Sequence, residues 1–119
     1  MVEPMTVDEV VQVVDGSVLT DTRISEDHAV VHGFSSDLMS DVLTVTADHV
    51  LLITGLSNAQ TVRTAMMSDI HVVLIGRNKR ITDEMKTLAE QNHVVLIGTA
   101  YSLFRASAEL YNAGLKPIF

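Results

Sequence analysis

The sequence predicts an α/β fold: a three-layer domain with a largely parallel sheet built from three 22-residue β-α repeats, preceded by an N-terminal α/β segment. Three observations carry this. The blocks His49-Val-Leu-Leu-Ile-Thr-Gly55, His71-Val-Val-Leu-Ile-Gly76 and His93-Val-Val-Leu-Ile-Gly98 begin 22 residues apart. Each is an unbroken aliphatic run without polar alternation, which suits a strand buried on both faces. The period holds one short strand, a turn and a helix of about three turns, so the echo reads as β-α repeated with right-handed crossovers.

In chain order, Thr6-x-x-Glu9 is a capping box, and Val7, Val10, Val11 and Val14 follow at helical spacing. Asp15-Gly16 ends that helix, and Ser17 to Thr20 reads as a short strand. Asp21 to Asp27 is polar and reads as a loop. Ala29-Val30-Val31, flanked by His28 and His32, reads as a strand ending at Gly33, with a short helix from about Asp37 to Val42 after it. Behind the first repeat strand, Ser57-x-x-Gln60 reads as a capping box opening a helix through about Ser68, with Val62, Ala65 and Met66 on its buried face. Behind the second, Thr82 caps a helix to about Gln91 whose first turn carries Asp83 and Glu84, where the helix dipole favours acids. Behind the third, Leu103, Ala106, Leu110 and Ala113 form one stripe, Phe104 and Tyr111 lie beside it, and Gly114 and Pro117 are stop signals.

With 119 residues and no Pro/Gly/Ser-rich linker, residues 1–119 are expected to form a single domain. Hydrophobic residues at 47% against 19% charged ones exclude a disordered chain. Eight basic against fifteen acidic residues leave a net charge of −7, which argues against nucleic-acid and anionic-membrane partners. Cysteine is absent, so disulfides, thiol nucleophiles and thiolate metal sites are excluded. The apolar runs are too short to span a bilayer. The opening MVEPMTVDEVV lacks a secretory design, so a soluble, cytoplasmic protein is expected.

Catalytic signatures are missing as well. There is no Gly-x4-Gly-Lys-[Ser/Thr], no Gly-x-Gly-x-x-Gly after a strand and no Gly-x-Ser-x-Gly. The repeat strands end Thr54-Gly55, Gly76-Arg77 and Gly98-Thr99, without the aspartate that a response-regulator receiver needs there. His28 and His32 have metal-ligand spacing, but in a strand they would stand about 13 Å apart. His49, His71 and His93 open their strands at the edge away from the ligand-binding side and read as polar residues bonded to neighbouring loops. No metal, no cofactor and no enzymatic activity are expected.

The carboxyl ends of the strands are the candidate binding edge. Gly55, Ser57, Asn58, Gln60 and Thr61 combine a glycine turn, hydroxyls, amides and a helix N-terminus, groups that can hold an anion. Arg77 and Lys79, with Arg80, concentrate three of the eight basic residues beside them.

The order of elements, together with Gly33-Phe-Ser-Ser-Asp-Leu-Met39, Gly55-x-Ser-Asn-Ala-Gln-Thr61-Val-Arg63-x-Ala65 and Asn112-Ala-Gly114, resembles the DRTGG-domain family, related to the N-terminal domain of HPr kinase/phosphorylase. The similarity runs over residues 5 to 115, and the pentapeptide that names the family is absent. Such domains accompany phosphotransacetylase domains and, with CBS domains, sit inside regulated pyrophosphatases. The resemblance implies a non-catalytic regulatory module. With the strand-end residues above it is expected to sense a small anionic ligand such as a nucleotide or phosphorylated metabolite, and a homodimer is expected because a domain this small buries limited core and commonly pairs. The alternative is a ligand-free interaction subunit docking on a larger metabolic enzyme through Leu38, Met39, Val42 and Leu43 or through the tail from Tyr111 to Phe119.

Overall fold

The computed structural model describes residues 3–119. Its elements are α1 (Val7–Val13), β1 (Ser17–Val18), a 3-10 turn (Glu26–His28), β2 (His32–Ser35), α2 (Met39–Val42) and β3 (Val50–Thr54). They continue with α3 (Ala59–Met67), β4 (Val72–Ile75), α4 (Asp83–Gln91), β5 (Val95–Gly98), α5 (Leu103–Asn112) and β6 (Lys116–Pro117). One six-stranded sheet has the order β1-β5-β4-β3-β2-β6. All pairs are parallel except β1 with β5. The three aliphatic repeats are its central strands, as expected.

Two cores follow from the alternation of side chains along those strands. Leu51, Ile53, Val72, Leu74, Val95 and Ile97 meet α1 and α5 through Val7, Val10, Val14, Ala106 and Leu110. Val50, Leu52, Val73, Ile75, Val94 and Leu96 meet α2, α3 and α4 through Val42, Val62, Ala65, Met85 and Ala89. This is the three-layer arrangement. The register adds one detail: Leu51 lies beside Val72, and Val72 beside Val95. Those steps are 21 and 23 residues, so Val72 faces the α1/α5 core, while Val50 and Val94, its counterparts by sequence repeat, face the other core. A one-residue slip turns a strand over, and a strand apolar on both sides accepts it.

Capping behaves as expected at two helices. Thr6 and Glu9 form a complete capping box, and Thr82 accepts from the Met85 N–H at 3.1 Å. At α3 the cap is Asn58 rather than Ser57. The Asn58 side chain accepts from Thr61 N–H at 3.2 Å, because the Ser57 hydroxyl is drawn away to the Arg80 carbonyl at 2.6 Å. Along α5, Ala106 and Leu110 are buried and Leu103 is partly buried, whereas Ala113 is exposed.

The N-terminal segment departs from its expected boundaries. The second strand runs from His32 to Ser35 instead of ending at Gly33. Val30 is withdrawn from the sheet by an antiparallel bridge to Met5, with N–H to carbonyl distances of 2.7 and 2.8 Å. His28 sits in the 3-10 turn. The α2 helix begins at Met39, because Asp37 is used elsewhere. The first strand is only two residues long. Pro117 belongs to an edge strand, β6, beside β2. That edge is a position where proline's missing N–H costs no ladder bond.

Candidate functional site

Because β2 to β5 run parallel, the loops after β2, β3, β4 and β5 gather along one edge. Helices α3 and α4 cover one face and α5 the other, so the connections diverge after β4 and β5. Open α/β sheets form a crevice at such a point. Here the crevice is closed by backbone: Arg77 N–H donates to the Tyr101 carbonyl at 2.8 Å and Asn78 N–H to the Thr99 carbonyl at 2.7 Å. Arg77 and Asn78 adopt left-handed φ angles of 63° and 56° to make that contact. Arg105 stacks on the Tyr101 ring at 3.8 Å from its centroid. The open part of the edge therefore lies over β2, β3 and β4.

Gly55 is the centre of that open part. Asp37, carried by the loop after β2, accepts on Oδ1 from Gly55 N–H at 2.6 Å and from the Thr54 hydroxyl at 2.9 Å. From the other side, Lys79 Nζ donates to the Gly55 carbonyl at 2.5 Å. A side chain on Gly55 would place its Cβ 3.5 Å from both Asp37 carboxylate oxygens and 3.7 Å from Lys79 Nζ. A slot of about methyl size, above a buried glycine, thus separates the carboxylate from the ammonium.

The sequence-derived candidates are distributed around this slot in different states. Gly55 and Lys79 meet directly. Ser57 is half-buried and spends its hydroxyl proton on the Arg80 carbonyl. Thr61 is buried, its hydroxyl donating to the Leu56 carbonyl at 2.7 Å and its N–H to Asn58. Asn58 is the cap, and Gln60 points along the helix to Thr64 Oγ1 at 3.4 Å. Arg77 and Arg80 have exposed side chains. The backbone N–H groups of Ala59 and Gln60, in the first turn of α3, have no intrahelical acceptor. Asp37 was not among the candidates. Nothing local marked it, because its role comes from a strand neighbour and not from a motif.

At the opposite edge, His49 Nδ1 donates to the Ala29 carbonyl at 2.9 Å, and His71 lies 3.3 Å from Asp69. His28 is buried and bonds to the His93 carbonyl at 2.7 Å. These contacts join strand starts to loops. Among the described residues no group of His, Asp and Glu could hold a metal ion, and no helix is long and apolar enough to cross a membrane.

A second surface is apolar. Gly33, Phe34, Ile53, Tyr111, Leu115 and Pro117 line a groove of about 190 Å³ between α5 and β6. Beyond it, Phe119 leans edge-on against Phe34 with ring centroids 5.9 Å apart. Phe104, Tyr111 and Phe119 are exposed by 86%, 65% and 83%.

With this geometry in hand, comparison with known proteins is informative. Among curated proteins none matches this chain. Among solved structures it is similar to the CBS and DRTGG domains of the regulatory region of Clostridium perfringens pyrophosphatase, determined in complex with the activator diadenosine tetraphosphate. The TM-score is 0.69 at 13% identity, over 89% of this chain and 46% of that one. The chain thus spans less than half of that regulatory region, and at this identity the likeness is one of fold. The DRTGG domain family matches residues 9–113. Over nearly its whole length, the chain belongs to the DRTGG domain family.

Proposed function

We propose that this protein is a non-catalytic regulatory module that senses a small anionic ligand, with a nucleotide as the leading class. The observation that carries the reading is its likeness, over 89% of its length, to a regulatory region whose activator is a dinucleotide. That region holds CBS domains as well, so the ligand has to be tested on this chain directly. The local support is the slot at Gly55, where Lys79 and the exposed Arg77 and Arg80 put positive charge at the carboxyl edge of a chain of net charge −7. Gly55, Asn58, Gln60, Arg77 and Lys79 are the proposed contacts. Ser57 and Thr61 hold the loop in shape through their bonds to Arg80 and Leu56.

The proposal extends to residues 1–119 acting as one domain, to a homodimer, and to kinship with the N-terminal domain of HPr kinase/phosphorylase without its phosphoryl-transfer chemistry. A ligand that binds only the native state raises the melting temperature in proportion to ln(1 + [L]/Kd). Diadenosine tetraphosphate, ATP and ADP at millimolar concentration are expected to raise it, and Lys79→Met to cancel the gain. No stabilisation by any of them overturns the ligand half. Light scattering at tens of micromolar is expected to give the mass of a dimer, and a monomer mass overturns that half.

The second reading, a docking subunit for a larger enzyme, is favoured by the apolar groove and the exposed Phe104, Tyr111 and Phe119. Patches of this kind mark interaction surfaces. Leu38 and Leu43 are also exposed, by 58% and 49%, but Val42 is fully buried in the core and unavailable.

A further inference from the structure

We infer that α5 is the interface between two copies of this chain, packed antiparallel about a two-fold axis at Ser107 and Ala108, with Phe104 of each copy seated beside Tyr111 of the other. This rests on the homodimer reading above and names the surface that such a dimer uses.

Helix α5 spends one face on the core, where Ala106 and Leu110 are fully buried. At about 100° per residue, Phe104, Ala108 and Tyr111 stand within about 60° of one another on the face turned away from it. Both aromatics are largely exposed, and Ala108 between them is too small to hold a second helix away. Beside this row runs a charged one, Arg105 and Glu109. They stand four residues apart, yet neither joins an ion pair among the described residues. Arg105 lies over the Tyr101 ring instead. Next to Tyr111, the apolar groove bounded by Phe34, Ile53 and Leu115 has a volume of about 190 Å³. That is room for an aromatic ring, since a cavity of about 150 Å³ already holds benzene.

Symmetry supplies the second half. Two copies related by a two-fold axis present the same patch to each other. When the helices run antiparallel and the axis crosses them, like rows meet and the order of residues reverses. Phe104 then lies on the partner's Tyr111, and Arg105 on the partner's Glu109, each contact occurring twice. The midpoints of these two pairs agree to within about half a residue, under roughly 1 Å along the helix, and both fall at Ser107 and Ala108. One crossing point therefore satisfies both pairings, and the charge pattern is complementary to itself. With the helices parallel, each aromatic row would lie on the other copy's charged row. The net charge of −7 on each copy opposes association, and the Arg–Glu contacts put opposite charges where the copies come closest. Burial of Phe104 and Tyr111 supplies the affinity, while the charges fix the direction.

The test is sedimentation equilibrium of the full chain across micromolar concentrations. The wild type is expected to dimerise, and Phe104→Asp to weaken the dimer at least about 100-fold, since a central aromatic is lost from both copies. Arg105→Glu and Glu109→Arg each set like charges across the axis and are expected to weaken it roughly 10-fold when studied alone. Mixed one to one, these two variants should recover wild-type affinity, because the acidic helix of one then faces the basic helix of the other. Both positions are exposed, so the pair provides a second test should Phe104→Asp fail to fold. The chain has no cysteine, so Ala108→Cys is expected to oxidise to a disulfide-linked dimer, whereas Thr87→Cys, exposed on α4, is not. A wild-type dimer untouched by Phe104→Asp, charge variants whose mixture gains nothing, or Thr87→Cys cross-linking as readily as Ala108→Cys would overturn this interface and leave the homodimer reading in place. A wild-type monomer throughout overturns both, and leaves the α5 face to a partner protein.

Discussion

The buried ring of His28 donates from Nε2 to the backbone carbonyl of His93 at 2.7 Å, across 65 residues of sequence. Its Nδ1 meanwhile accepts the Ser25 N–H at 3.0 Å, which assigns the proton to Nε2. One side chain thereby ties the long loop after β1 to the start of β5. His28→Phe would leave both backbone groups without their partner. Each unsatisfied group costs about 1–3 kcal/mol, so a loss of roughly 2–6 kcal/mol is expected in urea denaturation. A loss below about 0.5 kcal/mol would show that the tie contributes nothing net.

Two glycines respond oppositely to alanine. At Gly16 a Cβ would lie 2.5 Å from the backbone oxygen of Gly98, so β1 and β5 must separate. At Gly55 the nearest atoms are 3.5 Å away or more. Thermal melts are expected to show Gly16→Ala destabilised by about 1–3 kcal/mol and Gly55→Ala unchanged within about 0.5 kcal/mol. Equal effects would mean the sheet edge is looser than these distances imply.

Leu74 is fully buried at the centre of β4, between strands on both sides. Leu74→Ala removes buried methyl groups and leaves a cavity against α1 and α5. The expected loss is about 2–5 kcal/mol by chemical denaturation. A value under 1 kcal/mol would require the two layers to collapse onto the gap.

Polar contacts rank by burial. Thr99 is buried and its hydroxyl donates to the Val14 carbonyl at 2.6 Å, closing the end of α1. Thr99→Val is expected to cost about 1–3 kcal/mol. The Arg63–Glu84 pair is nearly as close, at 2.8 Å, but is 51% and 66% exposed. Arg63→Ala is expected to change stability by less than about 1 kcal/mol. Finding Arg63 the more important would reverse the ranking.

The central sheet was legible because Val50–Thr54, Val72–Ile75 and Val95–Gly98 announce double-sided burial by composition alone. The inverted phase of the middle repeat was not, since a strand apolar on both sides carries no mark of which face is which. Its trace is in the backbone: the left-handed residue before the strand is His49, Asp69 and His93, not three histidines. The capping position at α3 was off by one, because Ser57 and Asn58 are equally good caps locally and a distant carbonyl, that of Arg80, decided between them. The second strand runs His32–Ser35, later than its composition suggests, because Val30 is taken by the bridge to Met5 and because Gly33 admits the Leu115 side chain where a Cβ would go. At the candidate site, the glycine and the basic residues were readable from their types. Asp37 was not, for it reaches Gly55 only through the parallel pairing of β2 with β3.

The most direct measurement is an amide-resolved NMR titration of the full chain with the tightest-binding nucleotide. Saturable shifts are expected to centre on Gly55, Ala59, Gln60, Arg77 and Lys79. Shifts confined to the groove around Phe34, Tyr111 and Phe119, or none at millimolar nucleotide, would contradict a ligand-sensing edge and favour docking to a partner protein.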